Sequence, residues 1–517
     1  MSLRALPAPL IALALLATSA EARSQEPPPA EGAAPQASPK DAKEEERRKR
    51  LARLGSGKLR PIQTVGEVYP LESLIERCQE ANPQVRARVF SEQFAELRQQ
   101  EADWAIAPSF SLNAGATWVP PNADPNDVKD NVSKLIDGGP FLTDSVRMTI
   151  PLWTFGKLTS AQNLAGLGVD QAGLETRRLR LQLISQTREA YYSVQLGKHI
   201  QALIADGVDL IHEEIERLEE AREFGDESVD IKQLRKLQIY ESDIQSQVLD
   251  NERLIRLTKS ALSVLVQLKP EEFDVTQFNE EVDTSILLSL ERYQALAREN
   301  RPEIQLLNKG VAARREQVDL AFARFFPDLG LTVEWSQGLS TINSAQGPLV
   351  DIYPIDRDDE DRDGVVIPFD PYNFSRLTYL LGARLNLDSS TYWKYKQAEI
   401  QLSEAETQRE AALQGLDLQI EKQWVEVNDH RRKIEILERR LRAAERWRKQ
   451  IAIAYESGGA EFDDFLEPLR AYYEARLQLL KAQYDFQVGL SKLGEQVGAT
   501  DIFALSRELS QTQPPEE

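Results

Sequence analysis

Few residues in this chain are equipped for chemistry. Histidine occurs only at 199, 212 and 430, and the single cysteine is Cys78. No disulfide framework and no Cys/His metal cluster can be assembled within one copy. No nucleophile, base and orienting group converge at a recognisable spacing, so an enzyme is not expected. Carboxylates are what the chain has in excess: 83 Asp and Glu face 62 Lys and Arg, for a formal charge of -21. That balance argues against nucleic acid as a partner, because such binding rests on cations neutralising phosphates.

Two carboxylate groupings have spacing worth reading. In Gly458-Gly459-Ala460-Glu461-Phe462-Asp463-Asp464-Phe465-Leu466-Glu467, Asp464 and Glu467 are three apart and fall on one helix face, with Asp463 beside them. Alone, they are an acidic first turn that complements the helix dipole. Repeated around an axis, they make an acidic ring that favours cations. The second grouping is Asp359, Asp361, Asp363, Gly364, Val365 and Asp370, at positions 1, 3, 5, 6, 7 and 12 of a calcium loop, with Val365 offering its carbonyl. Position 12 is Asp rather than Glu, and the flanks Ile352-Tyr353-Pro354 and Pro368-Phe369 are not helical sequences. Candidate calcium site and solvated acidic loop both remain open readings; no other cofactor is expected.

The elements that position these groups follow an export plan. Arg4, the apolar run Leu10 to Ala17 and Ala20-Glu21-Ala22 fit a signal peptide over 1–22. Residues 23–66 are Pro/Ala-rich and then densely charged, the composition of a disordered arm. No other stretch reaches the roughly 18 to 20 apolar residues of a membrane-spanning helix, so any membrane contact must be made by strands.

The remainder repeats. Pro83 and Pro108 are 25 positions apart, as are Pro302 and Pro327. Each pair brackets a helical pattern that leads into alternating residues: Phe110, Leu112, Ala114, Ala116 and Trp118 in one copy, Leu329, Leu331, Val333 and Trp335 in the other. Val146, Met148, Ile150 and Leu152 alternate likewise, as do Leu377, Tyr379, Leu381, Ala383, Leu385 and Leu387, and Val146 to Trp153 corresponds to Leu381 to Asp388. The period of two predicts two strand hairpins per chain, each strand long enough to cross a bilayer at a tilt. Arg147, Glu334 and Arg384 fall on the polar face.

Long helices follow each hairpin. From Tyr392 to Tyr455 there is no proline, and apolar residues recur at steps of three and four through Ile420, Val427, Ile434, Leu441, Ala444, Trp447 and Ile451. The counterpart runs from Leu158 to Phe224, and returning helices follow over Ile231 to Leu268 and Phe465 to Val497. The repeats span 67–280 and 285–505, with 506–517 as a disordered tail. Four strands with open edges cannot close a barrel, whereas three copies give twelve.

Over about 67 to 500 the chain resembles the TolC family of outer-membrane efflux proteins. The resemblance is carried by the repeated Asn82-Pro83 and Arg301-Pro302 helix starts, the Pro108 and Pro327 junctions, Ile150-Pro151-Leu152-Trp153 to Gly156, and the turn from Gly458 to Glu467. It implies a mainly α fold with a β-barrel portion: four strands per protomer in a shared twelve-stranded barrel, and long periplasmic helical hairpins. It further implies an outer-membrane homotrimer, contacting lipid, that works as a passive exit duct for efflux or type I secretion with a periplasmic adaptor (membrane fusion protein) and an inner-membrane pump. Asp464, Glu467 and Asp463 are then the entrance ring, and the turns at Phe224-Gly225 and Gly458-Gly459 the adaptor-docking tips. The basic residue that often helps lock the entrance in relatives is missing at Ala460. The competing reading is a periplasmic structural or adaptor protein of an envelope-spanning complex.

Overall fold

The computed structural model describes residues 66–119, 139–224, 231–277, 282–340, 350–351, 366–367, 373–456, 459 and 462–512. The expected signal peptide and nearly all of the arm lie outside the described residues.

One plan occurs twice. A short helix (α1, Leu71–Ala81; α5, Leu290–Asn300) runs into a helix opened by proline (α2, Pro83–Trp104; α6, Pro302–Ala323). Two strands follow in each copy: β2, Ser109–Val119, and β3, Gly139–Trp153, in the first; β5, Asp328–Ser340, and β8, Phe374–Arg384, in the second. A long helix descends (α3, Lys157–Glu223; α7, Ser389–Glu456) and a 36-residue helix returns (α4, Ile231–Val266; α8, Phe462–Val497). At 67 and 68 residues, α3 and α7 are rods of about 100 Å. Proline at the first helical position costs no bond, since that N–H is an orphan in any helix. Asn82 caps α2 by accepting from Gln84 N at 2.9 Å; Arg301, its counterpart, makes no such cap.

The four long strands form one antiparallel sheet in the order β2-β3-β5-β8. Its register sorts side chains into rows. Leu112, Val146, Trp335 and Leu377 align on one face, as do Phe110, Met148, Val333 and Tyr379. The other face carries Ser111, Arg147, Glu334 and Thr378 in one row. The apolar face is bare: Leu112 is 76% exposed and Leu381 74%. A face of this kind is out of place in water and suited to lipid.

The helices continue this layer. Just below the sheet the neighbours run α2-α3-α6-α7, each helix beneath the strand it is joined to; further down, α4 and α8 take the places of α2 and α6. Lys157 stitches the strand-to-helix corners by donating to Phe326 O at 2.9 Å and Asp328 Oδ1 at 2.8 Å. The ring of Phe155 stacks on Phe326 at 5.3 Å, and Trp153 meets Phe155 edge-on.

Five small elements escaped the period analysis. β1 (Glu67–Tyr69) pairs in parallel with β4 (Phe273–Val275), tying the ends of the first repeat together across about 200 residues of chain. Gly66, with φ +94°, lets the chain pass against Glu272, where a Cβ would lie 2.7 Å from a backbone carbon. A two-residue pair, β6 (Val350–Asp351) with β7 (Val366–Ile367), stands inside the connection before β8. The tail expected to be disordered from 506 is instead helical to Thr512: α9 (Ile502–Thr512) buries Ile502 beside Tyr293 and Val497, and an amphipathic helix with such a pocket need not stay free. Among the described residues, no helix is long and apolar enough to cross a membrane.

Candidate functional site: the tunnel entrance

The lower end of the layer is where the two helical hairpins meet. Leu466 and Leu469, at the start of α8, are buried against Ile211, Ile215 and Leu218 of α3 and Leu234 and Leu237 of α4. Steps of three place Asp464 and Glu467 on a different face from these leucines, and both are exposed. The acidic pair is thus held by a turn whose apolar side is anchored in its own protomer. The side chain of Asp463 lies outside the described residues.

Pro468 sits inside α8 immediately after Glu467. It has no N–H to give to the Asp464 carbonyl, so the turn bearing the carboxylates is joined to the rest of the helix by one bond fewer. Just above, the stripe is neutralised: Glu474 accepts from Arg470 Nε at 2.8 Å and lies 3.7 Å from Arg440 of α7. Negative charge therefore concentrates toward the tip.

At the turns, Phe224 is 85% exposed and closes α3 by donating its N–H to Glu220 O, and Gly459 N–H donates to Ala454 O at 2.8 Å. Gly225 and Gly458 lie outside the described residues. So do Asp359, Asp361, Asp363, Val365 and Asp370; only the flanking β6-β7 pair is seen. Arg147 and Glu334 do come together on the polar face of the sheet at 3.0 Å, while Arg384 pairs in register with Asp328.

The expected stripe of α7 needs one correction. Trp447 is 45% exposed and Arg448 is buried in its place, its guanidinium 4.0 Å over the ring of Tyr472. Three- and four-residue steps allow either position, and reading by hydropathy chose the tryptophan. Stacking on an aromatic face, together with burial of its methylene stem, makes an arginine acceptable there. Sequence reading likewise missed Lys198 and Asp274, which pair beneath the β1-β4 strands with Asp274 fully buried. Their separation of 76 residues left no local signal.

A sheet with a lipid-suited face is thus continued by a helical layer of about 100 Å that ends in an acidic turn. Residues 294–499 match the outer membrane efflux protein family. No curated protein sequence matches the chain. Among solved structures, it is similar to the outer membrane protein VceC of Vibrio cholerae at 18% identity and TM-score 0.64, covering 83% of this chain and 97% of that one. It is also similar to the CmeC outer membrane channel of Campylobacter jejuni (14%, TM-score 0.64, 85% and 89%) and to the open state of the MtrE outer membrane channel of Neisseria gonorrhoeae (15%, TM-score 0.64, 86% and 94%). Residues 294–499 thus match the outer membrane efflux protein family, and over more than four-fifths of its length the chain shares the fold of solved outer membrane channel proteins.

Proposed function

We propose that three copies close into one duct that carries substrate, chemically unchanged, from an inner-membrane pump to the exterior, as the last component of a tripartite efflux or type I secretion system. The supporting observation is the pair of open edges. β2 and β8 each have one neighbour in the sheet, and the helices beneath them carry uncovered apolar residues: Phe90, Phe94 and Leu97 on α2, Ile400 and Leu418 on α7. In hydrocarbon every unpaired backbone group costs several kcal/mol, so the edges must meet other edges, and three four-stranded sheets make a closed twelve-stranded barrel. The periplasmic adaptor docks at the tips around Phe224-Gly225 and Gly458-Gly459, and Asp463, Asp464 and Glu467 of three copies ring the entrance. The aspartate loop from Asp359 to Asp370 takes up calcium weakly, which calorimetric titration at millimolar calcium reads directly.

The test is membrane fractionation with unheated gel electrophoresis, followed by conductance in planar bilayers. The expected result is a heat-labile trimer in the outer membrane whose channel prefers cations. Replacing Asp464 and Glu467 by alanine brings the cation preference toward unity. A soluble monomer, or a variant with undiminished preference, overturns the reading.

A further inference from the structure

The lower half of α7 is strongly basic in an acidic chain: between 431 and 449 it has nine Lys and Arg against three Glu. Two faces of this segment differ. One packs on α8 through Ile434, Leu441, Ala444 and Arg448. Opposite it, Arg432, Ile436, Arg439, Ala443 and Arg446 follow one another at steps of four and three, and all are exposed. That spacing is a second coiled-coil seam, arginine alternating with an apolar residue, with no helix upon it in the protomer. Arg432, Arg439 and Arg446 make no ion pair among the described residues.

α4, at the other edge of the layer, has a matching face. Ile239, Asp243, Ser246, Asp250 and Leu257 are exposed at successive steps of four, three, four and seven, with Asp243 at the rim of the cavity that α4 shares with α3 and α8. Asp243 and Asp250 are seven apart, as are Arg439 and Arg446. In a ring of copies the two edges are neighbours and run antiparallel, because α7 descends and α4 returns.

We propose that the α7 seam docks on the α4 seam of the adjacent copy in one register, pairing Arg446 with Asp243 and Arg439 with Asp250 and stacking Ala443 on Ser246 between them. The proposal rests on the trimer reading and names the contact that holds the lower tunnel closed between protomers. Heights within one protomer select the register. Tyr240 of α4 meets Arg470 of α8 and the two helices rise together, so Asp243, three residues on, stands level with Tyr473, with which it lines one cavity. The α8 residues Glu474 and Tyr472 meet α7 at Arg440 and Arg448, so Asp243 stands level with the stretch between those two arginines. Arg446 lies inside that stretch and Arg439 outside it, which disfavours a slip of one heptad, about 10.5 Å along the axis. Asp250 already holds Arg253 of its own helix at 3.1 Å, and Arg439 adds a second cation to it. Both pairs are sheltered between helices on assembly, where they gain strength over exposed pairs.

Cysteine cross-linking in the full chain, in outer membranes, tests this. Ser246→Cys with Ala443→Cys should give covalent dimers and trimers on a heated, non-reducing gel after mild oxidation. The wild type, whose only cysteine, Cys78, is buried, should give none. Stronger linking of Ser246→Cys with Ile436→Cys overturns the register. No linking by either pair in a protein that runs as a trimer unheated overturns the seam and leaves the trimer standing; absence of that trimer removes both. Charge exchange is the second arm: Arg446→Asp lowers the temperature at which trimers dissociate, and adding Asp243→Arg restores it. A double exchange no better than the single one overturns the pairing.

Discussion

The helices α4 and α8 have the same length, 36 residues, and the same place in their repeats, yet they are built differently. α8 lies between α7 and α3 and is covered on both flanks; Tyr472, Leu479, Phe486, Leu490 and Leu493 are all buried in one cluster with α7 and the short helices. α4 has α3 on one side and leaves Ile239, Leu249, Leu257 and Val264 more than half exposed. Duplication supplied equal lengths. Position in the layer then set composition, because an interior helix must satisfy two partners within its own chain and an edge helix only one.

This comparison can be broken by two substitutions of similar size. Phe486→Ala empties a fully buried site in α8 and should cost about 3–5 kcal/mol, lowering the unfolding transition of the isolated protomer and the trimer alike. Leu257→Ala on the outer face of α4 removes no packing inside the protomer, so its cost should appear only when copies associate. Unfolding followed by circular dichroism in detergent, at protein concentrations that favour and disfavour trimers, separates the two. Concentration-dependent loss for Phe486→Ala, or concentration-independent loss for Leu257→Ala, would show that α4 and α8 do not differ as interior and edge.

The periodic parts of the molecule were legible in sequence. The long helices end within a few residues of where apolar spacing placed them, since a 60-residue stripe averages out local ambiguity. The strands were found but underestimated: β3 has 15 residues and β5 13, because their upper ends carry Asp144, Gln337 and Ser340 and lose the alternation. What stayed hidden depends on contacts distant in sequence. β1 and β4 are three residues each, too short for any period, and are strands only because they pair. Arg448 reads as a surface residue until Tyr472 is seen beneath it. At the acidic turn, the shared face of Asp464 and Glu467 was readable from spacing, whereas the anchoring of that turn by Leu466 and Leu469 required the other hairpin.

A smaller effect comes from Glu495, near the end of α8. Burial raises its pKa above the usual carboxylate value, opposed by a hydrogen bond from Ser185 and the charges of Arg301 and Lys492. A carboxyl group whose folded pKa is raised favours the native state once protonated, and the penalty of its charge is fully present only above the folded pKa. Glu495→Gln should therefore raise the melting temperature at neutral pH, by about 1 °C for a group still partly hydrated. The gain should vanish below about pH 4, where the wild-type side chain is itself neutral. An equal gain at all pH values would assign it to packing and not to charge. The same place in α4 is held by Val264, which is exposed and carries no charge.

The least effect, and the one that reads the two hairpins against each other, concerns His212. In the first hairpin His212 Nδ1 lies 2.9 Å from Glu241 of α4, with Glu216 of its own helix 3.5 Å from Nε2. The hydrogen bond with Glu241, helped by the charges of Glu216 and Asp209, raises its pKa. A histidine raised in the folded state contributes stability that is complete below its unfolded value, about 6.5, and is lost as pH rises through the folded value. The second hairpin is braced by Arg448 on Tyr472 and by Arg440 beside Glu474, and its own histidine, His430, comes no nearer than 4.0 Å to Asp485. Between pH 6 and pH 8 the first hairpin should loosen relative to the second, by about 0.3 kcal/mol for so exposed a pair. Hydrogen exchange resolved to α3-α4 and α7-α8 peptides detects the change, which His212→Gln should abolish. A shift of equal size in both hairpins, or one that survives the substitution, would mean that the two braces do not differ in the way their chemistry requires.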